Sequence, residues 1–159
     1  LTLGPGEALQ VAGPNGSGKS SLIRLAAGLL HAECGRIERA RLALADDNIA
    51  LDRELPLRRA VGFWAGSPDQ ALEEVGLAEL AQVPVRLLSS GQLKRAALAR
   101  VVASAAPLWL LDEPLNTLDT DSADRLSTLI ERHLASGGGA VAASHQALPG
   151  KWQRLELQQ

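Results

Sequence analysis

The chain has 159 residues, is 46% hydrophobic and 21% charged, and carries a formal net charge of -2. That length suits one domain with a core buried without disulfides or metals, and the charge excludes the basic surplus of a general nucleic-acid binder. A single cysteine, Cys34, excludes an internal disulfide and reads as a small buried or half-buried residue.

The chain contains no Met and opens on Leu1-Thr2-Leu3-Gly4-Pro5-Gly6-Glu7. This reads as the end of a strand followed by a turn, and predicts a natural protein that begins upstream. Residues 8–12 form an apolar run broken by Gln10, a strand candidate. The glycine-rich stretch Gly13-Pro14-Asn15-Gly16-Ser17-Gly18-Lys19-Ser20 follows at once. After it, Leu22, Ile23, Leu25, Ala26, Leu29 and Leu30 give a broad apolar helical face. Strand, glycine loop and helix open a nucleotide-binding α/β unit. Residues 35–45 alternate charged and apolar side chains and predict a strand, and residues 46–57 a loop. A short amphipathic helix is expected over 72–80. Residues 84–88 lead into a second helix over about 91–104. Residues 108–111 read as a fully apolar strand ending in Asp112 and Glu113. A third helix is expected over 121–134, with Leu126, Leu129, Ile130 and Leu134 at helical spacing. Residues 140–143 predict another buried strand, stopping at Ser144-His145, and residues 152–157 a closing one. No run is long and apolar enough to span a bilayer. The longest candidate, residues 101–111, is interrupted by Pro107.

Apolar strands separated by helices predict a mostly parallel sheet covered on both faces. The polar motifs fall where those strands end, which is where ligands bind in open α/β sheets. Residues 13–20 match G-x-x-x-x-G-K-[ST]. Gly13, Gly16 and Gly18 let successive backbone N–H groups wrap a phosphate closely. The helix starting near Lys19 aims its positive end at the anion. Lys19 supplies a full charge to the terminal phosphates, and the Ser20 hydroxyl is placed for Mg²⁺. Asp112, at the end of its apolar strand, is a second Mg²⁺ candidate, and Glu113 a general base or orienting group for the attacking water.

On these motifs the chain resembles the nucleotide-binding domain of ABC ATPases along nearly its whole length. Gly13 to Ser20 looks like the Walker A loop and Leu108 to Glu113 like Walker B with the catalytic glutamate. Leu88-Ser89-Ser90-Gly91-Gln92 resembles the family signature, Leu118-Asp119 falls at the D-loop, and His145 matches the switch histidine. The resemblance implies a P-loop fold of ABC type: an α/β parallel core, a small antiparallel β region and a reduced helical subdomain. It makes residues 1–159 a single nucleotide-binding domain lacking its N-terminal strand or strands. ATP and Mg²⁺ are the implied ligands. A head-to-tail dimer is implied in which Ser89, Gly91 and Gln92 of one copy cap the γ-phosphate held by the other copy's Walker A. His145 would contact that phosphate and help fix Glu113. His31 and His133 carry no such context.

Ser90 at a position usually glycine, Pro107-Leu108-Trp109 ahead of Walker B, the His145-Gln146 pair and Phe63-Trp64 resemble the ATP-binding subunits of cytochrome c maturation (haem) exporters. That resemblance implies permease subunits in the membrane as partners, no nucleic acid, no membrane span in this chain, and a peripheral location at the cytoplasmic face of the inner membrane. The alternatives are a non-transport ABC ATPase and an ATP-binding regulatory module with weak hydrolysis. The family's adenine-stacking aromatic residue would precede Leu1. Its Mg²⁺-binding loop glutamine has no counterpart in Ala45-Asp46-Asp47-Asn48, where Asn48, Asp46 or Asp47 is the substitute, and Gln70 comes too late.

Overall fold

The computed structural model describes residues 2–64 and 66–158. Two compact units divide the chain. One gathers Leu1–Leu44, Ala106–Pro114 and Ile130–Gln159, and the other Ala45–Ala105 and Leu115–Leu129.

The first unit is built on a five-stranded sheet. In chain order its strands are β1 (Ala8–Ala12), β2 (Leu42–Ala45), β3 (Leu108–Asp112), β4 (Gly139–Ala143) and β5 (Gln153–Glu156). Their order across the sheet is β2-β3-β4-β1-β5. β3, β4, β1 and β5 run parallel, with Ala8 opposite Ala140, Leu108 opposite Gly139 and Leu9 opposite Gln153. Every residue of β1 is buried, the polar Gln10 included, as expected of a strand covered on both faces. Helix α1 (Lys19–Ala27) packs Ile23 against Leu110 and Ala143. It ends at Gly28, whose left-handed backbone lets Leu29 N–H reach the Arg24 carbonyl at 2.9 Å, a closure that favours glycine.

Two expectations over the first unit change. Residues 35–41 are irregular, and only Leu42–Ala45 forms strand, because Arg36, Glu38 and Arg41 are solvated side chains with little to bury. An isolated antiparallel bridge joins Pro56 and Pro84 in the second unit. Cys34 is exposed, not buried. His133, read as bland, has a packing role. Its ring stacks on Trp109 with centroids 3.9 Å apart, and its Nε2 meets the Gly139 carbonyl at 3.2 Å. A Cβ on Gly138 would lie 2.3 Å from that ring. Burial holds the imidazole below its usual pKa, opposed by its bonds to the Gly139 and Pro107 carbonyls.

The second unit is helical: α2 (Leu57–Gly62), α3 (Pro68–Glu74), α4 (Ser90–Ala103) and most of α5 (Thr120–Ala135). The amphipathic helix expected over 72–80 starts earlier and stops sooner. Pro68 occupies its first turn after Ser67, a favoured start. Gly76, at φ 69°, breaks the run, so that Ala78–Leu80 is a separate 3₁₀ turn. Leu57, Val61, Leu72, Leu77, Val85 and Val101 are fully buried here. Asp119 accepts from Ser122 N–H at 2.8 Å and caps the start of α5. The hydrogen bond with the Ser122 side chain, and then that N–H, hold its carboxyl below the usual range.

Candidate functional site

The phosphate loop leaves the C-terminal end of β1. Gly13, Gly16 and Gly18 all have positive φ, at 146°, 84° and 93°. At Gly13 space is as restrictive as conformation: a Cβ would lie 2.6 Å from the Leu157 carbonyl oxygen and 2.7 Å from Ser17 Oγ. Ser17 N–H donates to the Pro14 carbonyl at 3.2 Å and closes the turn. The Ser17 hydroxyl is buried and, among the described residues, has no hydrogen-bond partner of its own. Lys19, 6% exposed, folds back so that Nζ donates to the Gly13 and Pro14 carbonyls, each at 3.0 Å. Asn15 and Gly16 at the loop tip are exposed.

Beside the loop, Ser20 Oγ donates to Asp112 Oδ1 at 3.0 Å. The two residues come from different elements, 92 positions apart, and Asp112 is buried. Hydroxyl and carboxylate together offer the hard oxygen donors that Mg²⁺ prefers. Among the described residues no cluster of three or more His, Cys, Asp or Glu could hold a metal by itself. A Mg²⁺ site that borrows its remaining ligands from phosphates and water needs no such cluster.

Glu113 follows directly. Its φ is 46°, a left-handed conformation unusual for a non-glycine residue. Its N–H donates to the Ala143 carbonyl at 2.9 Å. Its carboxylate Oε2 lies 2.9 Å from His145 Nδ1. A carboxylate only accepts, so Nδ1 carries the proton of this pair. His145 is exposed, and its Nε2 lies 3.4 Å from Gln146 Nε2. Sequence reasoning brought Glu113 and His145 together as implied partners, and the structure joins them.

It missed Gln10. This buried glutamine, read only as an interruption of an apolar strand, donates from Nε2 to the Gln146 carbonyl at 2.6 Å and meets the Ser144 carbonyl at 3.5 Å. Ser144, 1% exposed, is held in turn, its N–H donating to the Val11 carbonyl and its Oγ accepting from Gln146 N–H. The only signal available in sequence was an unexplained polar residue inside a buried strand.

The signature residues lie in the second unit. Ser89 is the N-cap of α4. Its Oγ accepts from Gln92 N–H at 3.3 Å, while Gln92 Oε1 accepts from Ser89 N–H at 2.8 Å, a reciprocal capping box. Ser89 is exposed, and the first N–H groups of the helix have no intrahelical acceptor. Gly91 faces the Thr117 carbonyl, 3.1 Å from where its Cβ would lie. The N-cap role and an anion-binding role are therefore compatible at this tip. Of the three candidates for the missing loop glutamine, Asp46 is buried and engaged with Asn48 through both carboxylate oxygens. Asp47 and Asn48 are exposed, and Asp47 pairs with the buried Lys94 at 3.4 Å. Arg100 stacks over Trp64 at 4.8 Å. Burial lowers its pKa, and Asp46 opposes that shift. Neither Lys94 nor Arg100 was singled out from the sequence.

Residues 1–116 match a sequence profile of the family described as ABC transporter. The cytochrome c biogenesis ATP-binding export protein CcmA of Sphingopyxis alaskensis is 54% identical over 156 residues, covering 93% of this chain and 80% of that protein. The protein of the same name from Novosphingobium aromaticivorans is 54% identical over 154 residues, with 93% and 79% covered. A solved structure described as the ATP binding subunit of an ABC transporter shares the fold at a TM-score of 0.83 and 21% identity, covering 91% of this chain and 70% of that one.

Proposed function

The chain belongs to the ABC transporter family of ATP-binding proteins, and from that membership we propose that it hydrolyses ATP to power an exporter serving cytochrome c biogenesis, of the haem-exporter class. The observation that carries the chemistry is the conjunction of two pairs on adjacent residues: Ser20 with Asp112, and Glu113 with His145. Three features suit a bound magnesium nucleotide. The loop is kept clear by a glycine whose Cβ would collide with backbone. Ser17 carries a buried hydroxyl without a partner among the described residues. Ser20 and Asp112 offer a hydroxyl and a carboxylate for a hard cation.

In this reading Gly13, Pro14, Asn15, Gly16, Ser17 and Gly18 cradle the phosphates with backbone N–H groups, and Lys19 exchanges its carbonyl partners for phosphate oxygens. Ser20 and Asp112 hold Mg²⁺, which supplies neutralisation of the phosphate charge. Glu113 accepts a proton from the attacking water, and His145 orients it. Asp47 and Asn48, exposed, are the substitutes for the family's loop glutamine, since Asp46 is committed to Asn48 and Arg100. Residues 1–159 act as one nucleotide-binding domain. Ser89, Gly91 and Gln92 close over the phosphate of a second copy, so two chains work head to tail. The exposed Phe63 (82%) and Leu87 (61%) favour apolar contact with permease subunits. Among the described residues no helix is long and apolar enough to cross a membrane, which suits a peripheral subunit at the cytoplasmic face of the inner membrane.

Expression of this sequence in a bacterium whose own cytochrome c biogenesis export ATPase has been deleted should restore c-type cytochromes, read by haem staining. Stable expression with ATPase activity but no restoration would remove the exporter assignment and leave the ATPase. A second test addresses the dimer. Ser89→Asp keeps a good N-cap but sets a negative charge where a phosphate must sit. It should leave stability within about 0.5 kcal/mol of wild type and abolish ATP-dependent dimerisation in light scattering. An unchanged dimer would show that Ser89 is a cap and nothing more.

A further inference from the structure

The geometry points to Gln10 as a positioning residue for the switch histidine: a side-chain clamp inside the sheet that fixes the backbone on both sides of His145. This rests on the ATPase reading above and deepens it. Gln10 lies in the middle of β1, 4% exposed. Its Nε2 reaches the Gln146 carbonyl at 2.6 Å and the Ser144 carbonyl at 3.5 Å. Two backbone carbonyls accept and cannot donate, so the NH₂ end of the amide must face them, and no flip of the side chain substitutes. His145 is the residue between those carbonyls, and its Nδ1 holds Glu113 at 2.9 Å.

β4 ends at Ala143. Beyond it the ladder contributes one more bond, Ser144 N–H to the Val11 carbonyl at 3.1 Å. The switch segment then leaves the sheet at the point where regular backbone bonding stops. Gln10 extends the hold two residues further by side chain. Ser144 Oγ, accepting from Gln146 N–H at 3.1 Å, tightens the same turn. His145 itself is exposed and has little packing to set its ring. An exposed imidazole on an untethered loop would sample many positions, and a reacting pair loses rate steeply when misplaced by about 1 Å. The same strand that ends in the phosphate loop at Gly13 therefore also sets the switch, through a residue three positions earlier.

The test is Gln10→Met, which keeps length and removes the donor. It is measured by phosphate release, nucleotide affinity and thermal melting, alone and combined with His145→Ala. The clamp predicts a kcat at least tenfold below wild type, with KM for ATP within about twofold. It also predicts less than a twofold further loss when Gln10→Met is added to His145→Ala, because sites acting through one unit are not additive. Gln10→Glu is the second variant, should the first not fold. Its buried carboxyl donates only when protonated, so its kcat relative to wild type should rise as pH falls from 8 to 6. Equal kcat in wild type and variant overturns the proposal, as does a full additional loss on the His145→Ala background or a fall in affinity matching the fall in rate. A wild-type protein that turns over no ATP removes the ATPase reading, and the clamp with it. An active wild type with an indifferent Gln10 removes the clamp alone.

Discussion

Replacing Glu113 with Gln is expected to cut ATP turnover at least about 10²-fold, the range for losing a positioned general base, while Mg-ATP stays bound and dimers accumulate. The substitution preserves volume. It also preserves the contact to His145, because an amide oxygen can accept from Nδ1 where Oε2 does so now, at 2.9 Å. What disappears is the capacity to take a proton. The left-handed backbone at residue 113, with φ 46°, disfavours Glu and Gln alike, and its N–H bond to Ala143 does not involve the side chain. Melting temperature should therefore move little. Phosphate release, nucleotide retention on a desalting column and light scattering with ATP separate the outcomes. If wild type binds ATP but turns it over no faster than the variant, the protein is a binding module and not an engine.

Lys19→Ala should act one step earlier and remove nucleotide affinity by about 10²-fold or more, since hydrogen bonds to charged groups contribute about 1.5–3 kcal/mol each. The ammonium is buried and donates to the Gly13 and Pro14 carbonyls. Its loss leaves two loop acceptors without their donor as well as a phosphate without its cation. Lys19→Arg should not rescue binding, because a planar fork cannot replace a compact point charge inside a loop this tight. Titration with a fluorescent ATP analogue measures both variants. Wild-type affinity in Lys19→Ala would rule out residues 13–20 as the phosphate site.

The parts of this site that were legible in sequence are those whose chemistry needs consecutive residues. A loop that wraps phosphate with backbone must be written in glycine, and Gly13, Gly16 and Gly18 carry the positive φ values that pattern implies. Asp112 and Glu113 stood out because carboxylates end a strand otherwise apolar. Ser89 and Gln92 were legible through the signature they resemble, while the capping box they form at the start of α4 is seen only in the structure. The features that escaped depend on partners far along the chain. Gln10 meets residues 134 and 136 positions later, and Lys94 meets Asp47. No local period encodes either contact. The helix expected over 72–80 is shifted to Pro68–Glu74 for a local reason. The start signal at Ser67-Pro68 was available, and so was the stop at Gly76, but the apolar spacing drew the boundary past both. The strand expected over 35–45 shortened to Leu42–Ala45, because alternation predicts a half-buried strand only where one face has something to cover it.

β1 is pinned on both flanks right up to where the glycines begin: Ser144 N–H to the Val11 carbonyl on one side, Leu157 N–H to the Ala12 carbonyl on the other. The root of the cradle is thus a fixed bearing between two neighbours, with no slack of its own. What is left to move in this unit when a nucleotide arrives or departs is the tip at Asn15 and Gly16, the ammonium of Lys19 and the ring of His145. Those groups can exchange partners without breaking the backbone bonds that hold the end of β1.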